Sequence, residues 1–459
     1  MQLKRLALVL AWLPGLALAW GNHALLSYRA FESMPEVQQA AAVTVRPLED
    51  FLRDAEAQLP AELDDQESWA RQHIKAYAPR PQALRFEAQP ARGDDERRSA
   101  FLRALRLSPQ ARFALFVQPD PRQQGGANAD LLPQETVSSV PLSKGATQRF
   151  VALQPGKKVP VLAVLASATD EADYGYDIDL FDDNAERPQG YGFGRQPFGN
   201  PTMRISSQAP FHMGFFHQGA VFDRLAPAFA RSFAQLRWQQ YSGLARLAFE
   251  TGHAYWGWRF AGLALHYVQD LTQPYHASAA PGERLGGMLW VELLNKLGAP
   301  QRKAGLIVLQ SNRHFVLERY QTQMVLAAAL ARRDGANERA LRESTLDAGY
   351  PDWDEHSLRE VVAAQAYAVG RETDAAIVVG APARYVTDPG FDFGAAEAGI
   401  DLDADMRQQL QAQRERFQGA VAKLLGHFGA HSRNALRGML RSVTSRERTH
   451  TESPPSATH

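Results

Sequence analysis

The sequence predicts a mainly α protein: a multi-helix core interrupted by a mixed, partly β insertion. Two observations carry that expectation. From Val221 onward, apolar residues recur at helical spacing almost without a break. Residues 61–145, in contrast, are irregular and rich in Pro, Gly and Gln, with a short strand candidate inside them. A chain of 459 residues, 45% hydrophobic and 22% charged, can bury a proper core and is globular in composition. There is no internal repeat.

Taken in order, residues 1–19 have the make-up of a cleavable secretory signal. Lys4 and Arg5 form a basic start, Leu6 to Leu18 is apolar with a break at Pro14-Gly15, and Ala17-Leu18-Ala19 fits the small-x-small cleavage rule. That apolar run is too short for a membrane span, and no later stretch approaches the needed length. The expectation is an exported protein, periplasmic or secreted, with no integral membrane segment in its mature form. Residues 20–440 then read as one domain, with the insertion at about 40–160.

Residues 20 to roughly 60 carry helical spacing through Ala24, Leu25, Tyr28 and Phe31, and again through Leu48, Phe51, Leu52 and Ala55. Within the insertion, Arg112 to Val117 is a strand candidate, Gln118 to Ser138 is loop-like, and Gln148 to Leu165 offers further β-like pieces. Helices are expected over Phe222–Thr251, His253–Asp270, Leu285–Leu297, Lys303–Arg333, Glu355–Val379 and Met406–Leu440. The polar residues 441–459, rich in Ser, Thr and Pro, read as a disordered tail.

Charge and cysteine content narrow the chemistry. Losing Lys4 and Arg5 with the leader leaves 48 of the 50 basic residues against 50 acidic ones, so no global charge bias points to nucleic acid or anionic membrane. The chain has no cysteine. Disulfides and a cysteine nucleophile are therefore excluded, and any transition-metal site must use His, Asp and Glu.

The chemistry-bearing residues are two ladders of that kind. His266 and Asp270 stand at i, i+4 and are followed by Pro274-Tyr275-His276; His314 and Glu318 form a second i, i+4 pair. On a helix, such a pair projects from one face about one turn apart, as two ligands of one divalent cation require. Asp270 lies among apolar residues, where an unpaired carboxylate is costly, which itself favours a neighbouring cation. Cleavage after Ala19 would make Trp20 the first residue, followed by Gly21-Asn22-His23. A free α-amine titrates near pH ~7.7–8, so amine and carbonyl of Trp20 can chelate a metal with His23 adding its imidazole. Other histidines have plainer readings: His253 and His427 as packed or surface residues, and His356 as capping chemistry. Trp256 and Trp258 are most simply packing.

In combination these motifs resemble the superfamily of zinc-dependent phospholipases C and single-strand-specific zinc nucleases. Those enzymes begin with a metal-chelating Trp and carry H-x-x-x-D…P-x-H and H-x-x-x-E/D motifs. The resemblance implies three zinc ions. The first would be held by His266, Asp270, Asp173 and His212, the second by His276, His314 and Glu318, and the third by Trp20, His23 and a bridging Asp270. Asp173 is chosen because Glu171-Ala-Asp-Tyr174 looks like the family's acidic-x-Asp-Tyr step, although Asp177, Asp179, Asp182 and Asp183 compete in the same loop. The upstream histidine lies in Ala209-Pro-Phe-His212-Met-Gly-Phe-Phe-His217, with His217 the alternative to His212. The 39 residues from Asp173 to His212 exceed the family's spacing.

The implied reaction is phosphodiester hydrolysis by metal-activated water, with Asp173 also orienting or deprotonating it. Three features lean toward a phospholipid headgroup ester: Glu318 at the end of the second ladder, the Pro-Tyr-His-Ala form of residues 274–277, and Tyr174. In the phospholipases an aromatic residue at the position of Tyr174 faces the choline ammonium. Phe211, Phe215 and Phe216 could instead stack on nucleobases, giving a zinc nuclease. A zinc-stabilised, non-enzymatic envelope protein is a third reading.

Overall fold

Helix Ala254–Asp270 is the axis of the fold, with every residue from Tyr255 to Asp270 buried. A helix enclosed on all sides must find partners for its polar side chains in the elements around it. Helix Ala234–Glu250 runs beside it, and helices His23–Phe31, Val161–Ala168 and Gln411–Thr451 close the remaining sides. The computed structural model describes residues 20–123, 130–142, 148–184, 190–201, 203–396 and 399–451. The expected leader and the last eight residues of the expected tail lie outside them.

One glycine sets the closest approach. A Cβ on Gly262 would come within 2.5 Å of Ala168 Cβ and 2.6 Å of Leu165 O, so helix Val161–Ala168 can lie against the axial helix only because position 262 is bare. That contact carries the next residue, Thr169, to the future site.

Two buried ion pairs fasten the following loop. Arg259 grips Glu171 through Nε and a terminal nitrogen, each at 2.8 Å, and Arg237 donates to Asp177 Oδ1 at 2.7 Å. Breaking one partner of such a pair strands a buried charge and costs ~3–5 kcal/mol. At the far end of the chain, the buried Arg433 donates to Ala30 O, Leu341 O and Asp347, pinning the last helix to the first.

The mainly α expectation holds, and the β content is small. Val43–Thr44 pairs antiparallel with Lys158–Val159, and Phe116–Val117 with Val151–Ala152. The other regular elements of the insertion are helices, the longest being Leu48–Asp54, Leu59–His73 and Asp94–Leu105, joined by irregular chain.

Several expected boundaries move, among them the start of Met406–Leu440, which is divided between helix Leu402–Arg407 and helix Gln411–Thr451. The β-like stretch 148–165 ends in helix Val161–Ala168, because a short apolar run has no periodicity of its own and Pro160 stands at its N-cap. The expected helix Phe222–Thr251 is interrupted at Pro227, which lacks an N–H and clashes with the preceding turn. The expected disordered tail is instead helical from Arg441 to Thr451, since no Gly or Pro breaks the chain before Pro454. No helix among the described residues is long and apolar enough to cross a membrane.

Candidate metal centre

The axial helix presents His266 and Asp270 one turn apart at its buried C-terminal end, with His266 Nε2 3.2 Å from Asp270 Oδ2. The contact made through Gly262 now has its effect. Thr169 O accepts from His266 Nδ1 at 2.7 Å, so Nδ1 holds the proton and Nε2 keeps its lone pair for the site. His23 is oriented in the same way, since its Nδ1 meets Gln269 Oε1 at 2.8 Å while Gln269 Nε2 donates to Ser27 Oγ. This turns His23 Nε2 to within 3.2 Å of Asp270 Oδ1.

Residues 20–23 are held between the two ligand helices. The Trp20 indole donates to Gln269 O and Thr272 Oγ1, both at 3.0 Å. A Cβ on Gly21 would lie 2.5 Å from Thr322 Oγ1 and 3.5 Å from Glu318 O, so the chain here touches the backbone of helix Pro300–Leu330. Asn22 caps helix His23–Phe31 by accepting from Leu25 N at 2.8 Å.

The second ladder lies on helix Pro300–Leu330, with His314 Nε2 2.7 Å from Glu318 Oε1. Glu318 also accepts from Gln273 Nε2 at 2.8 Å. Pro274 opens a short turn, Pro274–Ala277, that delivers His276; its Nδ1 donates to His212 O at 2.9 Å, leaving Nε2 bare. Tyr275 stacks on His314 with ring centres 5.4 Å apart and donates to Asp374 Oδ1 at 2.7 Å.

The upstream residues complete the arrangement. His212 Nδ1 stands 2.9 Å from both His266 Nε2 and Asp270 Oδ2, and 3.7 Å from Asp173 Oδ1. Its other nitrogen faces Asp177 Oδ2 at 3.4 Å, and that carboxylate is itself held by Arg237 and by the Tyr267 hydroxyl at 2.5 Å. His217 lies elsewhere: it is half-buried, bonded to Arg359 O at 2.8 Å, and takes no part in the cluster.

Tyr174 requires a correction. Its ring is buried against Phe116 and Phe150, and its hydroxyl meets Gln118 Nε2 at 2.8 Å and Asp170 Oδ2 at 3.3 Å. It cannot face a choline headgroup. Residues 171–174 form a 3-10 turn, in which consecutive side chains diverge by a third of a revolution, so Tyr174 points away from the side Asp173 faces.

Three groups of potential ligands result: His23, His266 and Asp270; Asp173, His212 and His266; and His276, His314 and Glu318. Within each, the offered atoms lie within 4.8 Å of one another. His23 Nε2, Asp173 Oδ1, Asp270 Oδ1, His276 Nε2 and His314 Nε2 are all buried without a well-directed hydrogen bond, although His23 and Asp270, and His314 and Glu318, approach each other through these atoms. Buried polar atoms are rarely left so, and five converging atoms of ligand type fit a bound cation.

The electrostatics divide the cluster in two. Burial pushes the Asp270 carboxyl up, but His266, His212 and His23 outweigh it and hold the group well below the usual carboxylate range. Asp173, with the same histidines around it, is still raised because burial dominates. Burial pulls His212 down, yet Asp177 and Asp270 carry it up to about 10. In the other group burial dominates and neighbouring histidines add to it, against a smaller opposing pull from Asp270: His276 is lowered to about 4, and His314 also falls well below its ordinary value.

Sequence reasoning missed the orienting shell of Thr169, Gln269, Gln273 and Asp374, and it named Asp177 only as a rival ligand. Gln269 alone left a signal, as a polar residue beside Asp270 in an otherwise apolar turn. The fold and site together define a mainly helical protein with groups of His, Asp and Glu side chains that could hold a metal ion. Compared with protein-family models, curated proteins and solved structures, the chain matches none.

Proposed function

We propose that this chain is an exported zinc-dependent phosphodiesterase of the phospholipase C type, hydrolysing phospholipid headgroup esters with three bound zinc ions. The observation that carries the reading is the convergence of eight His, Asp and Glu side chains into three buried groups with orphaned ligand atoms. His266, Asp270, Asp173 and His212 would hold one ion, and His276, His314 and Glu318 a second. His23 and Asp270 would hold the third, with the Trp20 terminus once the leader is removed. When bound, such ions supply hydroxide near neutral pH and offset the charge that develops on the phosphoryl oxygens.

The chain's own residues do the rest. Asp173 is the most exposed of the carboxylates in the cluster, with 12% of its side chain open, and its Oδ1 has no hydrogen-bond partner. It is the group best placed to orient an attacking water and take its proton. Asp173, Asp270 and Glu318 together bring only three negative charges to the cluster. Against three divalent ions this leaves a net positive site suited to an anionic diester. His266, His23 and His276 have tautomers fixed by Thr169 O, Gln269 and His212 O, so they are preorganised as ligands.

With Tyr174 buried, the lipid reading rests on Glu318 and on the Pro-Tyr-His-Ala form of residues 274–277. Of the aromatics offered as base-stacking residues, Phe211 and Phe215 are buried, while Phe216 is half-buried beneath the Arg359 guanidinium. The test uses leader-free protein starting at Trp20, with metal content measured and two substrates offered with and without a chelator. Chelator-sensitive release of phosphocholine from a short-chain phosphatidylcholine is the expected result. Cleavage of single-stranded DNA alone would move the assignment to the nuclease branch, and protein without bound zinc would sink it.

A further inference from the structure

Helix Leu285–Lys296 lies in the stretch between His276 and His314, yet it contributes nothing to the metal cluster. Its inner face has an evident partner. Leu285, Met288 and Val291 pack on a satellite core made by Phe198, Ala209, Met213, Phe215, Phe222, Phe229 and Ala279. Met213 follows the ligand His212 directly, and Ala279 stands three residues after the ligand His276. The helix therefore rests on the two segments that deliver those ligands.

Its outer face has no partner among the described residues. Trp290, Leu293 and Leu297 follow one another at helical spacing, and they are 58%, 46% and 72% exposed. Three large apolar side chains in one exposed stripe are unusual for a surface that meets only water. The charges flanking the helix are mostly basic, with the half-buried Glu283 beside Arg284 as the exception. Arg284, Lys296 and Arg302 are exposed and form no ion pair among the described residues, while the one acidic residue of the helix, Glu292, is buried against Lys303 at 3.1 Å.

We infer that this face is an interfacial docking surface for an anionic lipid bilayer, with Trp290, Leu293 and Leu297 entering the acyl boundary and Arg284, Lys296 and Arg302 meeting lipid phosphates. A short amphipathic helix with Trp and Leu on one side and basic residues flanking it binds in the plane of a membrane surface and does not span it. Trp suits the boundary because its large ring is apolar and its N–H remains able to meet water. Docking by this helix would bring a lipid surface beside the segments that carry His212 and His276. The inference rests on the phospholipase reading for its substrate, but the surface can be tested without turnover.

The experiment is co-sedimentation of the leader-free, zinc-loaded protein with vesicles of phosphatidylcholine alone and of phosphatidylcholine mixed with phosphatidylglycerol. Wild type is compared with Trp290→Ser/Leu293→Ser/Leu297→Ser, and zinc content and Tm check that the variant is folded. Wild type should bind the mixed vesicles more tightly, and the triple variant should lose about tenfold or more in partitioning. Equal sedimentation of the two proteins, or no binding by wild type, would overturn the surface. So would a wild-type dimer in lipid-free buffer that the triple variant dissociates, which would assign the face to a second copy of the chain. Vesicle binding lost in the variant, with no headgroup released by either protein, would uphold the surface and overturn the phospholipase reading instead.

Discussion

Asp173 and Tyr174 are neighbours with opposite fates. Asp173→Asn should lower phosphodiester turnover by about a hundredfold or more, the usual scale for a positioned acid–base group, in steady-state kinetics on protein of verified zinc content. Tyr174→Phe should leave headgroup preference unchanged and cost about 0.5–1.5 kcal/mol in chemical denaturation, from the lost bonds to Gln118 and Asp170. A shift in headgroup preference would return Tyr174 to the substrate. The sequence made Asp173 and His212 candidates but could not separate them from their rivals. His212 and His217 are five residues apart on a chain that leaves helix after His212, so no periodicity says which one faces inward. The ladders were legible because a helix turns fixed spacing into a shared face. The 3-10 turn at 171–174 inverts that logic, and adjacency in sequence there means divergence in space.

At the scale of elements, two helices beyond residue 330 act on the site from outside it. Helix Ala364–Gly380 places Asp374 under the Tyr275 hydroxyl and beside Arg313, at 2.7 and 3.0 Å, and so steadies the ring stacked on His314. Asp374→Asn should weaken zinc binding at the His276, His314 and Glu318 group by about 10- to 100-fold, the usual effect of an orienting residue, in competition with a chelating dye. An unchanged affinity would make Asp374 a packing residue only. Helix Gln411–Thr451 carries His427 and His431, which burial lowers to about 4 and about 3. His431 Nε2 lies 2.7 Å from Gln365 Oε1 under the ring of Tyr350. In the unfolded chain both histidines take up protons near pH ~6.5, whereas the folded protein resists until about 4 and about 3. The unfolded state binds more protons in that window, so these residues favour folding fully above pH ~6.5, and that contribution shrinks steadily as the pH falls through it. Tm measured against pH should fall less steeply over that range in His431→Gln than in wild type. Parallel curves would remove His431 from the account. None of this was legible beforehand, because a lone histidine in a helical stretch carries no mark of what lies across from it.

For the molecule as a whole, the helical class followed from periodicity, whereas the enclosure of the site depends on contacts between segments that share no pattern. His23 meets Gln269 across 246 residues, and Arg433 reaches Ala30 across 403. A chain ending at residue 410 would keep every proposed ligand and lose the helix that pins the first one. It should bind fewer zinc ions per chain by atomic absorption, and full zinc content in that fragment would show the last helix to be dispensable. The threading of residues 20–23 between helices made some 250 to 300 positions later also bears on synthesis. Residues 20–23 must wait, without these partners, until residues 269–322 have emerged. Loop closure over such distances is slow, so the cluster is among the last parts to assemble. A buried cluster built in this order stays incomplete in the nascent chain and closes only when its two ends are knitted together.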